Sequence, residues 1–356
     1  MNQLFREPIP SVCNRAIDAE KFAERALDFR ILDPSMESGQ LLLEIALACI
    51  RRVESRHSPA SKTGQRLIQV MLKKLCADCL FGVDKNALAL PSARLVFSLL
   101  GAEYGIRRLT PYHLFTADSL RYEQFAEFDG VINNPPWGDV TNAVERRLLR
   151  KRFETIDSWV DTYLPFTELD IRCLRPGGAL ALIIPSQVIA MRHAARLREM
   201  ILNKIQVDQI ILLPRAAFVD ATVRAAMILG SARGDKVVSG MCRVITYPFE
   251  KRIESIAPVR TFDISQRALN RAGRHSWSPL LNGNGEHGAM SKTVELGHLA
   301  SFKSGIQVYV RHAGEPPQTA QVVREHPFTF VRPAKGRIPV IRGREVQSYL
   351  ARADLA

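Results

Sequence analysis

The sequence lacks several features that would assign it to a class of protein directly. None of its apolar runs approaches the roughly 20 residues of a transmembrane helix, and the run 179–185 has the length of a strand. The amino terminus lacks the basic-then-apolar pattern of a signal peptide. No internal repeat is visible. We therefore expect a cytoplasmic protein with no membrane partner.

Cysteine is scarce and scattered. Of the 6 cysteines, only Cys76 and Cys79 have the spacing of a zinc or redox pair. No second pair or histidine cluster completes such a site, and both residues lie in the apolar stretch 72–80. This context favours packed thiols, and we expect no metal site.

The chain has an excess of positive charge and ample apolar sequence. Lys and Arg total 49 against 36 Asp and Glu, a net charge of +13, and 46% of the 356 residues are hydrophobic. A chain of this length can bury a sizeable core. The basic surplus predicts a polyanionic partner, and nucleic acid is favoured over a membrane because no basic amphipathic helix stands out.

Short apolar runs alternate with helix-like segments along the first 230 residues. The predicted strands are 29–32, 80–83, 114–116, 130–132, 179–184, 207–213 and 223–229. Alternation of strands and helices predicts a doubly wound α/β sheet, in which ligands bind at the carboxyl edge of the strands.

The most informative motif is Asn134-Pro135-Pro136-Trp137, directly after the apolar run 128–132. Proline fixes φ and removes a backbone donor, so carbonyls of this turn can face a ligand. The Asn134 amide oxygen and the Pro135 carbonyl would then be two acceptors that suit an exocyclic amine. Trp137 offers a face for a planar base. The alternative is a turn that only terminates a strand.

Three acids follow the earlier predicted strands in the same way: Asp33, Asp84 and Asp118. Each one alone is as well explained as a helix cap or turn former. Together with Asn134, each after its own strand, they indicate a nucleoside-like ligand at one sheet edge. Asp33 suits an ammonium group, Asp84 two ribose hydroxyls, and Asp118 an adenine amine.

These motifs resemble those of the adenine-specific (N6) DNA methyltransferases in the gamma motif order, and the methylase part of type IIG restriction-modification and phage-exclusion enzymes. The run 33–39 is similar to the Asp-Pro-x-x-Gly-Ser-Gly form of motif I, and Asn134–Trp137 to motif IV. The resemblance implies a seven-stranded, Rossmann-like methyltransferase sheet that ends in an antiparallel hairpin. It also implies methyl transfer from S-adenosylmethionine to the amine of a flipped adenine in double-stranded DNA.

The resemblance also assigns roles to individual residues. Phe218 falls where the family has an aromatic residue at the hairpin, and would hold the flipped base opposite Trp137; the alternative is a phenylalanine packed under the hairpin. The expected cofactor contacts are Asp33, Pro34, Ser35, Gly39, Asp84 and Asp118. A basic cluster would contact the DNA backbone, or would instead be a solvated helix face paired with nearby acids; it consists of Arg146, Arg147, Arg150 and Lys151.

The expected domains are a methyltransferase domain at 1–250, a glycine-rich linker at 251–295 and a partial target-recognition domain at 296–356. The partial domain implies a separate or missing recognition or nuclease module. Glu37 replaces the middle glycine of motif I. Two alternatives therefore stay open: a methyltransferase that acts on RNA or a protein amide, and a degenerate copy kept as a DNA-binding subunit.

Overall fold

The computed structural model describes a three-layer α/β domain and a short part of the chain beyond it. The described residues are 29–58, 61–121, 127–140, 142–157, 160–218, 223–234, 240–249 and 257–281, with 321, 346–347 and 350–351. The elements are numbered below in chain order.

The centre of the domain is a sheet with the strand order β3-β2-β1-β4-β5-β7-β6-β8-β9. The strands are β1 Ile31–Asp33, β2 Leu80–Asp84, β3 His113–Thr116, β4 Phe128–Asn133, β5 Leu174–Pro185, β6 Ile205–Leu212, β7 Ala225–Ala232, β8 Met241–Thr246 and β9 Arg260–Ser265. Strands β1 to β5 are mutually parallel, and β7 is antiparallel to both β5 and β6. The α/β class, the predicted strands and the antiparallel hairpin of β6 and β7 are confirmed.

The predicted number of seven strands is wrong, because β8 and β9 extend the sheet beyond β6. Strand β8 pairs parallel with β6, and β9 pairs antiparallel with β8. The side chains of Met241, Cys242, Arg243 and Val244 alternate between exposed and buried. Such a half-buried strand shows alternation rather than an apolar run, and its signal is weaker than that of the buried parallel strands.

Helices cover both faces of the sheet. They are α1 Gln40–Glu54, α2 Lys62–Lys74, α3 Ala89–Glu103, α4 Ala143–Arg152, α5 Tyr163–Arg172, α6 Ala195–Lys204, α7 Gln266–Ala272 and α8 Ser278–Leu281. Helices α1 to α3 contribute to one buried apolar cluster, and α4 to α8 contribute to a second cluster on the other face. A five-residue π-helix at Leu75–Cys79 buries both Cys76 and Cys79, and burial raises the pKa of the Cys76 thiol to about 12. These cysteines are packed thiols.

The chain divides into two compact units, Met1–Gly288 and Ala289–Ala356. Strand β9 and helix α7 belong to the first unit although they lie within the predicted linker 251–295. Trp277 is fully buried in the core of this unit. In the second unit, Val346–Gln347 pairs antiparallel with Leu350–Ala351. The assignment of the three sequence segments to a methyltransferase, a linker and a recognition domain stays a prediction.

Among the described residues, no helix has the length and apolar character needed to cross a membrane. Over the same ranges, no group of three or more His, Cys, Asp or Glu side chains could hold a metal ion.

The packing of β7 against β6 predicts the effect of one substitution. A Cβ atom added at Gly230 would overlap the backbone carbonyl oxygen of Gln206 and lie 2.7 Å from Ile205 Cγ2. Backbone cannot move aside as a flexible side chain can. We expect Gly230→Ala to lower the free energy of unfolding by about 1–3 kcal/mol, measured by urea denaturation. The control is Gly234→Ala, where an added Cβ meets nothing within 4 Å; equal stability of the two variants would contradict this packing.

Candidate active site at the carboxyl edge of the sheet

The predicted site residues follow strands that are neighbours in the sheet. Asp33 ends β1, Asp84 ends β2, and the NPPW turn (residues 134–137) starts directly after β4. Since β2, β1 and β4 are adjacent and parallel, their carboxyl ends meet at one edge. The chain leaves β1 towards one side and β4 towards the other. This is the topological switch point at which open α/β sheets bind ligands.

Asp33 is a buried carboxyl group. It is 1% exposed, and its Oδ1 accepts a hydrogen bond from the Ser35 backbone N–H at 3.1 Å. Burial, together with the nearby Asp84 and Glu37 carboxylates, raises the pKa of Asp33 to about 8, although the hydrogen bond from the Ser35 N–H lowers it in part. No cation among the described residues lowers it. A buried carboxylate needs a partner charge, so this position fits the ammonium group of a ligand.

The conformation of the loop between β1 and α1 shows the structural roles of Glu37 and Gly39 in the run that resembles motif I. Glu37 adopts a φ of 46°, in the left-handed region that favours glycine, and its side chain is exposed. The strain for a residue other than glycine is about 1–2 kcal/mol. The Glu37 N–H donates to Asp84 Oδ2 at 2.9 Å, which holds this conformation. Gly39 begins α1 at φ 74°, and an added Cβ would lie 3.0 Å from Ala93 Cβ. Glycine at position 39 therefore allows both the positive φ of the turn before α1 and the close packing of α3.

Asp84 and Asp118 both shape local turns. Asp84 Oδ1 accepts from the Asn86 N–H at 2.7 Å, so each of its oxygens already holds one backbone donor. Asp118 Oδ1 accepts from the Leu120 N–H at 3.1 Å, and its Oδ2 pairs with Arg121 Nε at 3.0 Å. Both acids therefore act locally as turn formers, which is the alternative role that the sequence allowed for them. Their contacts with a cofactor stay predictions, since each oxygen retains a second lone pair.

The NPPW turn is held from outside the sheet by the residues that precede α5. Thr162 Oγ1 donates to the Pro136 carbonyl at 2.5 Å, and the Thr162 N–H donates to the Gly138 carbonyl at 2.9 Å. In return, the Gly138 N–H donates to Asp161 Oδ1 at 2.9 Å. The turn is thus tied to a second segment and is not an isolated loop.

These bonds leave the two predicted acceptors available. The amide group of Asn134 and the carbonyl of Pro135 take no hydrogen bond from any described residue, although the Asn134 backbone carbonyl lies 3.4 Å from Ser35 Oγ. Pro135 is buried, while Asn134 and Trp137 are partly buried. The turn therefore presents open acceptors beside an aromatic ring, an arrangement whose chemistry is suited to an amine on a flat base.

Trp137 and Phe218 contact each other directly. Their ring centroids are 5.8 Å apart with an interplanar angle of 74°. A base stacked between two rings needs parallel planes about 7 Å apart, since carbon atoms pack at about 3.5 Å. One of the rings must turn before a base can lie between them. The Trp137 Nε1 donor is buried and has no partner among the described residues, so packing alone holds this ring.

Two residues of the site were missed in the sequence. Asn133, the last residue of β4, is fully buried, and its Nδ2 donates to both carboxylate oxygens of Asp170 at 3.0 Å. Its Oδ1 accepts from Ser35 Oγ at 2.5 Å. Burial raises the pKa of Asp170 well above its ordinary value, and Asp33 adds to this shift. The sequence carried little signal for this pair, because β4 also contains Asp129 and α5 also contains Thr167 and Glu168.

The basic cluster lies on α4, which begins shortly after the NPPW turn. Asn142 caps this helix by accepting from two backbone N–H groups. Arg147 and Lys151 are exposed, and neither pairs with an acid within the described ranges. Asp157, one of the nearby acids, lies 3.9 Å from Arg196 instead. Arg147 and Lys151 therefore lie on an exposed basic face of α4, and contact with DNA stays a proposal.

Comparisons with known proteins agree with these features. Residues 78–218 match the model of a family described as Eco57I restriction-modification methylase. The chain is 24% identical over 196 residues to the type II methyltransferase M.BstVI of Geobacillus stearothermophilus. That alignment covers 52% of this chain and 33% of the relative. The chain thus spans about a third of the length of this curated relative.

Two solved structures share the fold. The type IIG restriction endonuclease BpuSI matches with a TM-score of 0.51 at 16% identity, over 76% of this chain and 32% of that chain. A structure of a type I restriction-modification system also has a TM-score of 0.51, at 15% identity, over 83% of this chain and 62% of that chain. At these identities the likeness concerns the fold.

The Asp33 carboxyl group predicts how cofactor binding depends on pH. Binding of an ammonium group requires ionised Asp33, whereas a pKa of about 8 keeps it protonated at lower pH. We expect the affinity for S-adenosylmethionine to rise by up to about tenfold per pH unit from 6 to 8 and then to level off. Calorimetry with Asp33→Asn should remove this rise, and Asp78→Asn on the surface should keep it. If Asp33→Asn shows the same rise in affinity with pH, the rise comes from a titrating group of the ligand and not from Asp33.

The matched segment includes β2, β3, β4, the NPPW turn and Phe218, so it contains most of the site described above. A methylase takes its methyl group from S-adenosylmethionine. Asp33 is buried and has no cationic neighbour among the described residues, so it fits the positive charge of that cofactor. Residues 78–218 are therefore similar to the methylases of the Eco57I restriction-modification family, and the site fits S-adenosylmethionine as its cofactor.

Proposed function

We propose that this chain transfers a methyl group from S-adenosylmethionine to the exocyclic N6 amine of adenine in double-stranded DNA, as part of a restriction-modification or phage-defence system. The observation that carries the proposal is the pair of open acceptors, the Asn134 amide and the Pro135 carbonyl, next to the Trp137 ring. An amine with two hydrogens on a flat base is the group that satisfies both features at once.

The turn would act by positioning the target nitrogen. Each acceptor takes one N–H of the adenine amine, which localises the nitrogen lone pair and aims it at the methyl group. The cofactor supplies that methyl group on a positively charged sulfur. The nitrogen–carbon bond forms as the carbon–sulfur bond breaks, and the nitrogen then loses a proton to solvent. Orientation is the main contribution asked of the protein.

The aromatic pair would take up the base after it leaves the duplex. Adenine N6 is hidden inside paired DNA, so the base must be flipped into the site. In this proposal Trp137 stacks on one side of the adenine and Phe218 moves to the other. The edge-to-face contact of the two rings keeps the position filled until the base arrives.

The basic face of α4 would hold DNA close to the turn. Phosphate contacts position a protein on DNA but do not read its sequence. Sequence recognition would then come from a further module. Either residues 296–356 are a partial domain of that module, or a partner chain supplies it. The length of the relative M.BstVI, about three times the aligned segment, agrees with additional modules.

The first test compares the wild type with Asn134→Ala in a tritiated-methyl assay with unmethylated genomic DNA. We expect label in adenine from the wild type and a fall of at least about 100-fold in the variant. Asn203→Ala, an exposed asparagine on α6, is the matched control and should retain activity. Parallel reactions contain RNA and acceptor protein. Label in RNA or protein alone would replace the DNA assignment, and cofactor binding without any label would indicate a missing recognition module.

The second test concerns α4. Arg147→Glu with Lys151→Glu reverses two exposed charges, and we expect weaker DNA binding at low salt. The slope of log K against log salt should become less steep by about 2, since about one counterion is released per phosphate contact. Arg66→Glu with Lys73→Glu changes the same charge on α2. A similar loss in both double variants would assign the effect to net charge and not to α4.

A further inference from the structure

Asp170 and Asn133 form a buried polar pair for which the proposed chemistry has no direct use. Both side chains are fully buried, and both Asp170 oxygens accept from Asn133 Nδ2 at 3.0 Å. No other described residue donates to the Asp170 carboxyl group. A carboxyl group in the core is costly unless it is paired. An apolar pair would be the simpler way to pack α5 on β4.

The pair continues into the two loops that form the site. Asn133 Oδ1 accepts from Ser35 Oγ, and the same hydroxyl lies 3.4 Å from the Asn134 backbone carbonyl. The Ser35 N–H donates to Asp33 Oδ1. A continuous chain of hydrogen bonds therefore leads from Asp170 through Asn133 and Ser35 to Asp33.

The hydrogen bonds define the orientation of the Asn133 amide in the structure. Its NH₂ group faces the Asp170 carboxyl group, and its oxygen faces the Ser35 hydroxyl. If the amide turned by 180°, its oxygen would face Asp170 and its NH₂ would face Ser35. Asp170 thereby holds the Asn133 oxygen as an acceptor at the end of β4. This oxygen in turn holds the side chain of Ser35, which contacts residues of both loops.

We propose that Asn133 and Asp170 are a positioning pair that couples the cofactor loop after β1 to the NPPW turn after β4. The inference rests on the proposed function, because it takes Asn134 as the group that holds the target amine. Occupation of Asp33 by the cofactor's ammonium group aligns the Ser35 N–H. Through the Ser35 hydroxyl, this sets the backbone of Asn134. Neither Asn133 nor Asp170 touches substrate in this scheme.

The test exchanges the two groups of the pair. Asp170→Asn places an NH₂ group against that of Asn133, and Asn133→Asp places two carboxyl groups face to face. The double variant puts the amide on α5 and the carboxylate on β4, so one carboxylate oxygen can again accept from Ser35 while the other accepts from the amide on α5. We expect each single variant to bind S-adenosylmethionine about tenfold more weakly, and the double variant to recover to within about threefold of wild type.

A purely structural pair predicts a different pattern. Urea denaturation measures the stability of each variant, and calorimetry measures affinity in the folded protein. Single variants that lose stability but bind the cofactor as the wild type does would overturn the proposal. A double variant as weak as the single variants would also overturn it, because the polarity of the chain would then not matter.

Ser35→Ala keeps the test informative if the buried variants do not fold. It removes the hydroxyl link and leaves the pair in place. We expect kcat for methyl transfer to fall about tenfold with little change in the stability of the fold. Ser98→Ala removes a hydroxyl that donates within α3 at 2.8 Å and should leave kcat unchanged. Equal kcat for Ser35→Ala and wild type would overturn the coupling.

The two proposals fail in different ways. If the wild type methylates no adenine but the exchange pattern appears in cofactor affinity, the proposed function is wrong and the coupling to the cofactor loop holds. If adenine is methylated and all variants bind the cofactor equally, the positioning pair is wrong and the proposed function holds.

Discussion

Parallel pairing of β1 with β4 joins the two chain segments on which the site depends. Ile31 pairs with Gly130 and Leu32 with Val131, so the strands leave the sheet side by side. Their continuations carry a buried carboxyl group on one strand and an amide with two stiff prolines on the other. A shift of one residue in this register would exchange the faces of every side chain in the strand, and Asp33 and Asn133 would no longer share Ser35 as a hydrogen-bond partner.

The two apolar clusters keep that register. One cluster lies under α1, α2 and α3, the other under α4 to α8, and β1 and β4 contribute residues to both. Strands buried on both faces cannot slip without exposing apolar surface, at about 25 cal/mol per Å². The same burial removes water from Asp33 and Asp170 and raises the pKa of both. The burial that keeps the register therefore also favours the neutral form of both carboxyl groups.

The loops around the site differ in how firmly they are held. The NPPW turn is tied to residues 161 and 162, and the cofactor loop is tied to Asp84 and Asn133. The aromatic contact between Trp137 and Phe218 has no hydrogen bond to support it among the described residues. In the proposed function, the parts that would aim a reacting group are held by hydrogen bonds, while the part that would admit a base is held by packing.

Local patterns in the sequence determined a large part of this description. Apolar runs and helical periodicity located β1 to β7 and the covering helices, because these signals come from neighbouring residues. The NPPW motif and the acids after the strands indicated one edge of the sheet, and β2, β1 and β4 end side by side there. The resemblance of the run 33–39 to motif I indicated the loop in which Glu37 and Gly39 adopt positive φ.

Tertiary structure alone decided the rest. Strands β8 and β9 were missed because their half-buried alternation is a weak signal. The pair of Asn133 and Asp170, the contact of Trp137 with Phe218, and the raised pKa of Asp33 each depend on residues that are distant in sequence. Their chemistry follows from what packing places beside them and from how much water it excludes. No local pattern encodes either quantity, so the candidate residues were identified by sequence, whereas their partners and charge states required the folded chain.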